Sequence, residues 1–406
     1  LTTAARAMQP AVGRVRGARR AQEALRAASP INFARNRLEG REYFDYPGSR
    51  GILDLPPVMP DLVHGHNLHG KYFDLRYLAE LSRKVPVALT LHDEWTFTGH
   101  CAYGMGCERW RIGCGSCPDL TIYPSIRRDG THENWLTKRS IYSDSRLYVT
   151  APSAWLLDRA RQSILAAGSA DFRLIPNGVD LDVFKPGDQA AARRLLRLPH
   201  EPLMLLFTAN LMGKNPFKDY ATVAAAVERV AREVGDRKLL LVALGGEGRK
   251  QRMGNAEIRF VPYETEPTRV AAYYQAADIY LHAANADTFP TTVLEALATG
   301  RPVVATAVGG IEEQVRSLAR AAGSWHGPSV KAATATGILV DGHDPVAMAA
   351  ATTFLLRDDA LRAQLGTNAA ADAKARFNVE TQLDATLAWY QDCLDDWQRW
   401  RAEPAG

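Results

Sequence analysis

The second half of the chain alternates short, continuous apolar runs with segments of helical pattern. The apolar runs cover residues 202–210, 238–246, 258–263, 278–284 and 302–306. Runs of leucine and β-branched residues of this length are typical of strands that are buried on both faces. Helical patterns separate the runs at residues 219–234, 266–277 and 291–299. This alternation predicts βαβ units and a parallel sheet.

The first half repeats this pattern less regularly. Its predicted strands cover residues 62–66, 85–93, 147–153 and 172–177, and its predicted helices cover residues 73–83, 132–144 and 153–166. The segment between residues 95 and 129 is too long for a plain connector, so we expect it to be functional or to be held together by cross-links within the loop. Two α/β domains joined near residues 185–200 are the simplest interpretation of a chain of 406 residues.

The last part, residues 358–406, has no strand signal and is predicted to be helical. It contains Trp389, Trp397 and Trp400. Large aromatic side chains of this kind need a surface against which to pack. We therefore expect residues 381–406 to form a helix that packs back on the first domain.

Composition and charge narrow the class of protein. The chain has 46% hydrophobic and 23% charged residues, as soluble globular proteins do. Its apolar runs are all shorter than the roughly 18–20 residues that span a bilayer. Residues 1–30 lack the apolar core of a secretory signal, which predicts a cytoplasmic location.

The positive charge is concentrated at the start of the chain. Residues 1–40 hold eight arginines against two glutamates, whereas the whole chain has a net charge of +4. These arginines lie on a solvated helix face or attract an anionic membrane surface or lipid phosphate. No stacking aromatics are interleaved with them, which argues against binding of nucleic acid.

An acidic pair stands in the most informative part of the second half. Asp287 and Glu295 are eight residues apart, and Pro290 lies between them where a first helical turn is predicted to begin. The backbone N–H groups near Thr291 and Thr292 would be free to bind phosphate. Glu295 would lie one turn inside the helix, where a carboxylate can accept hydrogen bonds from ribose hydroxyls. The alternative is a pair of surface acids that merely flank a helix.

This segment resembles the E-x7-E region of the retaining glycosyltransferases of family four, with Asp287 in the place of the first glutamate. Further motifs carry the resemblance: Gly309–Glu313 as GG-x-x-E, Pro176–Asp180 as PNG-V-D, Gly245–Gly248 as a G-x-G turn, and Asn215–Tyr220 where the family has K-G. The last motif departs from the family, because Asp219 replaces the glycine after Lys218.

The first domain also carries the resemblance. The segments HGHNLHG at residues 64–70 and TLHDEWTFTGHCAY at residues 90–103 are similar to a subgroup that builds bacterial surface polysaccharides of the colanic-acid type. The match covers residues 60–380. It implies the GT-B fold, in which two Rossmann-like parallel-sheet domains face a cleft. We expect the first domain at residues 1–190, with a cysteine-rich loop at 95–129, and a nucleotide-sugar-binding domain at 191–380.

The resemblance implies an activity. The enzyme would move a sugar, with retention of configuration, from a UDP- or GDP-sugar to a glycan or lipid-linked saccharide, and catalysis would require no metal. It also implies roles for individual residues. Lys218 would neutralise the donor diphosphate, Asp287 would bind the transferred sugar, and Glu295 would bind ribose. His92 would contact the sugar near the reacting carbon, unless it is simply a satisfied strand-end histidine. The other expected donor-binding residues are Lys214, Gly246, Thr291, Thr292, Asn177 and Gly310.

One part of the family pattern is missing. The family usually opens with a strand and a glycine-rich loop that faces the acceptor, and nothing before Asp61 has this pattern. We therefore expect that the natural start is absent from this chain and that the first domain is incomplete. The alternative is a catalytically inactive nucleotide-sugar-binding protein of the GT-B fold. An epimerase of the same fold and a nucleic-acid-binding role are the remaining alternatives.

Four of the five cysteines lie in the cysteine-rich loop. They are Cys101, Cys107, Cys114 and Cys117. In a cytosolic chain such a cluster more often binds metal than forms disulfides. A structural zinc bound by all four thiolates would stabilise a loop that lacks a hydrophobic core of its own. Disulfides and free thiols are the alternatives that the sequence leaves open.

Overall fold

A computed structural model describes residues 30–42, 44–70, 72–210, 215–320 and 325–403. Lys214 and most of the arginine-rich start lie outside these residues. The first domain is built on a sheet of four parallel strands: β1 Val63–His66, β2 Val87–Thr90, β3 Leu147–Ala151 and β4 Ser169–Leu174. Their order in the sheet equals their order in the chain.

Among the described residues, four α-helices accompany this sheet: α1 Pro30–Glu39, α2 Tyr77–Lys84, α3 Thr131–Ser143 and α4 Ala154–Arg161. The Oγ of Ser153 accepts a hydrogen bond from the N–H of Leu156 and so caps the start of α4. The predicted helix at 153–166 is shorter than expected, because α4 ends at Arg161 and a separate 3₁₀ turn follows at Ile164–Gly168. The strand predicted at 172–177 begins earlier, at Ser169, where pairing with β3 starts.

The second domain has a sheet of seven strands: β5 Leu203–Thr208, β6 Leu239–Leu244, β7 Gln251–Met253, β8 Ala256–Val261, β9 Ile279–His282, β10 Val303–Thr306 and β11 Gly337–Val340. The strand order is β11-β10-β9-β5-β6-β8-β7, and every pairing except that between β7 and β8 is parallel. The predicted parallel sheet is confirmed. Our sequence analysis missed β7, which is short and mostly polar, and β11, which is only four residues long.

Helices cover both faces of the second sheet: α5 Gln189–Leu195, α6 Tyr220–Glu233, α7 Pro267–Ala276, α8 Thr291–Ala298, α9 Ile311–Gln314, α10 Pro345–Arg357 and α11 Asp359–Arg376. Val227 of α6 and Met348 of α10 belong to the core on one face. Leu294 of α8 and Ala369 of α11 belong to the core on the other. The sheet is therefore a doubly wound α/β layer, whose ligands bind at the carboxyl ends of the strands.

A last helix, α12 Val379–Ala402, returns to the first domain. Trp389 of this helix is fully buried, in a cluster that includes Tyr148 of β3. Its Nε1–H donates a hydrogen bond of 3.2 Å to Asp171. The expected contact of the C-terminal helix with the first domain is present in the structure. None of the helices in the described residues combines the length and the apolar character needed to cross a membrane.

Candidate active site

A buried ion pair lies at the carboxyl end of β9. Lys218 Nζ is 2.5 Å from Asp287 Oδ2, and both side chains are largely shielded from solvent. The backbone of Lys218 forms an antiparallel bridge with Ala284, which holds the lysine beside the end of β9. Burial raises the pKa of Asp287, but the charge of Lys218 and its hydrogen bond to the carboxylate outweigh this effect, and the pKa falls to about 2. Asp287 is thus charged at neutral pH.

The replacement of the family glycine by Asp219 has a structural explanation. Asp219 has a φ of −101°, so this position does not require glycine. Its side chain accepts a hydrogen bond of 3.0 Å from the N–H of Thr222 and so caps α6. Asp219 therefore fits the backbone conformation next to Lys218 without strain.

A fully buried histidine stands behind the ion pair. His282 Nε2 lies 3.3 Å from Lys218 Nζ, and His282 Nδ1 lies 3.1 Å from the hydroxyl of Tyr280. That hydroxyl lies 2.8 Å from Thr208 Oγ1. Burial and the charge of Lys218 lower the pKa of His282 to about 4, so the ring is neutral. Its Nε2 therefore accepts from Lys218, and its Nδ1–H donates to Tyr280.

Sequence analysis gave His282 no role. The available signal was a histidine that closes the otherwise buried strand predicted at 278–284. A buried imidazole needs hydrogen-bond partners on both nitrogens, and at a strand end these partners come from the ligand-binding edge of the sheet. The sequence could therefore have placed His282 near the site, but not against Lys218.

The helix that follows Asp287 begins at this edge. Pro290 precedes the first residue of α8, and no side chain caps the helix start. Thr291 is exposed, and Thr292 is partly buried. The free N–H groups of this first turn suit an anion.

Glu295 lies one turn further along α8. Its Oε2 accepts a hydrogen bond of 2.7 Å from the hydroxyl of Tyr274. Burial raises the pKa of Glu295 to about 7, and the bond from Tyr274 offsets only part of this effect. A group that donates further hydrogen bonds to this carboxylate would keep it ionised.

Other predicted donor residues shape the connection from Asp287 to α8. A Cβ on Gly310 would lie 1.8 Å from the carbonyl oxygen of Thr288, so only glycine fits there. Asn177 Nδ2 donates to the carbonyl of Phe289 at 3.2 Å. Gly246 lies apart from this connection, just beyond the end of β6, where its N–H donates to Val261 at 3.1 Å.

The first domain brings histidines to the opposite side of the cleft. His92 follows β2, and its carbonyl oxygen accepts a hydrogen bond of 2.9 Å from Thr288 Oγ1 of the second domain. Its Nε2 lies 2.9 Å from Nδ1 of His66. Burial lowers the pKa of both rings, and His92 lowers that of His66 further. His92 therefore lies at the domain boundary as a neutral imidazole.

Two further residues link the domains, and our sequence analysis assigned a role to neither. The carboxylate of Glu313 accepts hydrogen bonds of 2.8 Å from the N–H groups of Ala154 and Trp155, at the start of α4. The ring of Tyr103, on the cysteine-rich loop, lies 4.6 Å from the ring of Phe217. The sequence shows Glu313 as the last residue of the GG-x-x-E motif, but it does not show that Glu313 contacts the other domain.

The four loop cysteines lie around one small cavity of about 30 Å³. All are partly buried and unpaired, as is the buried Cys393 elsewhere in the chain. Burial raises the pKa of Cys101 to about 12 and that of Cys114 to about 11, so these thiols are poor nucleophiles. No three donors among the described residues already form a group ready to hold a metal ion. The predicted zinc stays a prediction.

Two α/β domains with largely parallel sheets meet where Thr288 donates a hydrogen bond to the carbonyl oxygen of His92, and an ion pair lies at the carboxyl end of a central strand. This is the architecture of a GT-B glycosyltransferase. Residues 202–358 match the family described as Glycosyl transferases group 1. This match lies within the second domain and agrees with the glycosyltransferase predicted from the motifs.

Relatives and solved structures agree with this assignment. A D-inositol 3-phosphate glycosyltransferase of Acidothermus cellulolyticus is 34% identical over 256 residues, which cover 60% of this chain and 52% of the relative. WcaC of Escherichia coli, assigned by its name to colanic acid biosynthesis as a glycosyl transferase, is 27% identical over 69% of this chain and 68% of its own. HepE of Anabaena, solved with UDP and glucose, has a TM-score of 0.56 at 16% identity and covers 86% of this chain and 84% of its own.

The likeness to HepE shows the fold alone. The chain spans about half the length of the first curated relatives that it matches.

Proposed function

We propose that this chain is a retaining glycosyltransferase that uses a UDP- or GDP-sugar. The observation that carries the proposal is the ion pair of Lys218 and Asp287, 2.5 Å apart at the carboxyl end of β9. Ligands of doubly wound sheets bind at this edge. The family match of residues 202–358 supports sugar transfer as the reaction.

The negative charge of the leaving group explains why the site needs positively charged and N–H groups. Cleavage of the sugar–phosphate bond develops negative charge on the nucleoside diphosphate. Lys218 and the free N–H groups at Thr291 and Thr292 are placed to stabilise that charge. Because protein groups neutralise the diphosphate, the proposal requires no metal for catalysis.

The acids and the histidine bind the sugars. Asp287 stays ionised and accepts hydrogen bonds from hydroxyls of the transferred sugar. Glu295 accepts hydrogen bonds from the ribose, which favour its charged form despite burial. His92 is neutral and accepts from a sugar hydroxyl close to the reacting carbon. Retention follows from front-face transfer, in which the leaving phosphate helps to deprotonate the acceptor, as the family resemblance implies.

The acceptor is proposed as a glycan or a lipid-linked saccharide in surface polysaccharide biosynthesis. The name of the WcaC relative supports this choice. We propose a cytoplasmic enzyme whose arginine-rich start contacts the inner face of the membrane. Flotation of the chain with vesicles of anionic, but not neutral, lipid tests this contact, and equal flotation with both would refute it.

The central experiment measures thermal stabilisation by UDP, GDP, ADP and CDP. A ligand at 100 times its dissociation constant adds about 2.7 kcal/mol to the free energy of unfolding. We expect UDP or GDP to stabilise the parent chain but not the Glu295→Ala variant. Glu228→Ala is the matched control, because Glu228 is an exposed acid on α6 of the same domain. If no nucleotide stabilises the parent chain, the proposal is wrong.

Turnover separates the proposal from its rival. The chain is incubated with the UDP- or GDP-sugar that corresponds to the stabilising nucleotide. Release of free nucleoside diphosphate is then measured with and without saccharide acceptors. Acceptor-dependent release supports the transferase. Donor binding without any turnover would instead identify an inactive nucleotide-sugar-binding protein.

A further inference from the structure

We propose that the cysteine-rich loop (residues 95–129) is a structural zinc site, with Cys101, Cys107, Cys114 and Cys117 as its ligands. The four thiols line the same cavity, although they come from different turns of the loop. Four cysteines are the usual complete ligand set of a structural zinc, which leaves no open position for chemistry.

The spacing and the backbone of the second cysteine pair support this assignment. Cys114 and Cys117 are separated by two residues, the spacing that binds zinc from one tight turn. Cys114 has a φ of +52° and Ser116 a φ of +45°, both in the left-handed region that non-glycine residues rarely occupy. Such backbone persists only where surrounding interactions enforce it. A metal ion held inside the turn would supply that constraint.

The polar groups around the sulfurs are arranged as an outer shell. The N–H of Gly99 donates to Cys114 Sγ at 3.2 Å. His100 Nδ1 lies 3.0 Å from the carbonyl oxygen of Pro124, so Nδ1 carries the proton and Nε2 is an acceptor. That Nε2 lies 3.4 Å from Cys117 Sγ. Outer groups that orient ligands in this way are characteristic of metal sites.

The cavity has room for an ion. Its volume of about 30 Å³ exceeds the roughly 10–15 Å³ that a cavity needs to hold one water molecule. As the side chains stand, no three donors in the described residues form a coordinating group. Binding therefore requires the thiols to turn into the cavity until each sulfur lies about 2.3 Å from the metal.

The zinc site would act on the donor site at a distance. Tyr103 lies between Cys101 and Cys107, and its ring contacts Phe217, the residue before Lys218. A metal that stiffens the loop would hold Tyr103 against the second domain. The four cysteines are thus assigned a positioning role and no part in the reaction.

The test begins with the metal content of the unmodified chain. We expect one zinc per chain by inductively coupled plasma mass spectrometry after purification without chelators. Stripping with a mercurial reagent and a chelator should lower the melting temperature, and addition of zinc after removal of the reagent should restore it. Cys114→Ser and Cys117→Ser should lose the zinc. Cys393→Ser should keep it, because Cys393 is buried on α12 away from the loop.

Three outcomes would overturn the proposal. The first is a chain that contains no zinc after growth in zinc-supplemented medium. The second is an intact mass that shows disulfides between the loop cysteines. The third is alkylation of all four thiols in the native chain, together with no effect of zinc on its stability. The metal content of the parent chain decides the question even if the variants fail to fold. A zinc-bearing chain that binds no nucleotide would contradict only the proposed function.

Discussion

The ring centroids of Tyr103 and Phe217 lie 4.6 Å apart across the boundary between the two domains. Tyr103 belongs to the cysteine-rich loop of the first domain, and Phe217 immediately precedes Lys218 of the second. Burial, followed by the nearby charge of Asp287, raises the pKa of the Tyr103 hydroxyl, so it remains protonated. One aromatic contact therefore connects the loop to the lysine of the donor site.

Tyr103→Ala should weaken nucleotide binding. An aromatic pair contributes about 0.5–1.5 kcal/mol beyond its buried area, which corresponds to an increase in the dissociation constant of up to about tenfold. Tyr103→Phe should bind like the parent chain, because it retains the ring. Isothermal titration calorimetry with the preferred nucleoside diphosphate measures the effect. Tyr263→Ala removes an exposed tyrosine of the second domain and serves as the control. Equal affinity of Tyr103→Ala and the parent would show that the contact does not support the donor site.

Lys218→Met should lose affinity for the diphosphate but not for the nucleoside. The substitution removes the cation beside Asp287 while keeping a side chain of similar length. We expect turnover to fall by about 10²–10³-fold, as for other groups that stabilise transition-state charge. Binding of uridine or guanosine should change little. Lys238→Met, which removes an exposed lysine paired with Glu201, is the matched control. A uniform loss of diphosphate and nucleoside binding would indicate a folding defect instead.

Glu295→Gln should change how stability depends on pH. Burial raises the pKa of Glu295 from its ordinary value of 4.5 to about 7. Between these values the folded protein binds more protons than the unfolded chain, so this group lowers the free energy of unfolding as the pH rises. The variant lacks this titration. It should be more stable than the parent at pH 8, by about 1–3 kcal/mol, and equally stable at pH 4.

Urea unfolding at several pH values measures this difference, with Glu228→Gln as an exposed control. A constant offset between the variant and the parent across the whole range would contradict the prediction. Saturating nucleotide should reduce the offset at pH 8 if ribose hydroxyls bind the ionised carboxylate.

Glu313→Ala should loosen the contact between the domains. Its carboxylate accepts two backbone hydrogen bonds at the start of α4, where negative charge is favourable. Loss of a cap of this kind costs about 0.5–2 kcal/mol. Chemical denaturation should report this loss, whereas Glu312→Ala should have little effect, because Glu312 has only a distant contact with His326. Equal stability of the two variants would exclude an anchoring role for Glu313.

Trp389→Ala should destabilise the chain strongly. Trp389 is fully buried against the first domain, although it lies on the last helix. Removal of a buried tryptophan costs about 3–5 kcal/mol. Trp400→Ala should cost less, because Trp400 is only partly buried. Similar losses for both variants would show that the whole end of α12, and not Trp389, holds the helix in place.

The second domain was largely predictable. Its central strands are continuous apolar runs, and their alternation with helices is a local property of the chain. The missed strand β7 is too short and too polar to produce such a pattern, whereas the apolar run of β11 was overlooked. β7 pairs with β8, and β11 pairs with β10.

The candidate site was predictable in part. Asp287, Glu295 and Lys218 were identified from motifs, and Gly310 lies where a side chain would collide with Thr288. Lys214 lies outside the described residues. The partners of these groups could not be predicted, because Tyr274 approaches Glu295, and His282 approaches Asp287, only when strands and helices pack.

By itself, the amino-acid sequence determined most of the α/β elements, the starts of helices at residues such as Pro290, and the types of side chain available for diphosphate and sugar. These are decided by neighbours within a few residues. Only the tertiary structure decided that His282 supports Lys218, that Glu313 caps a helix of the other domain, and that Tyr103 reaches Phe217. Each of these contacts joins residues far apart in the chain, and its geometry depends on which strand ends and loops the packed domains bring together.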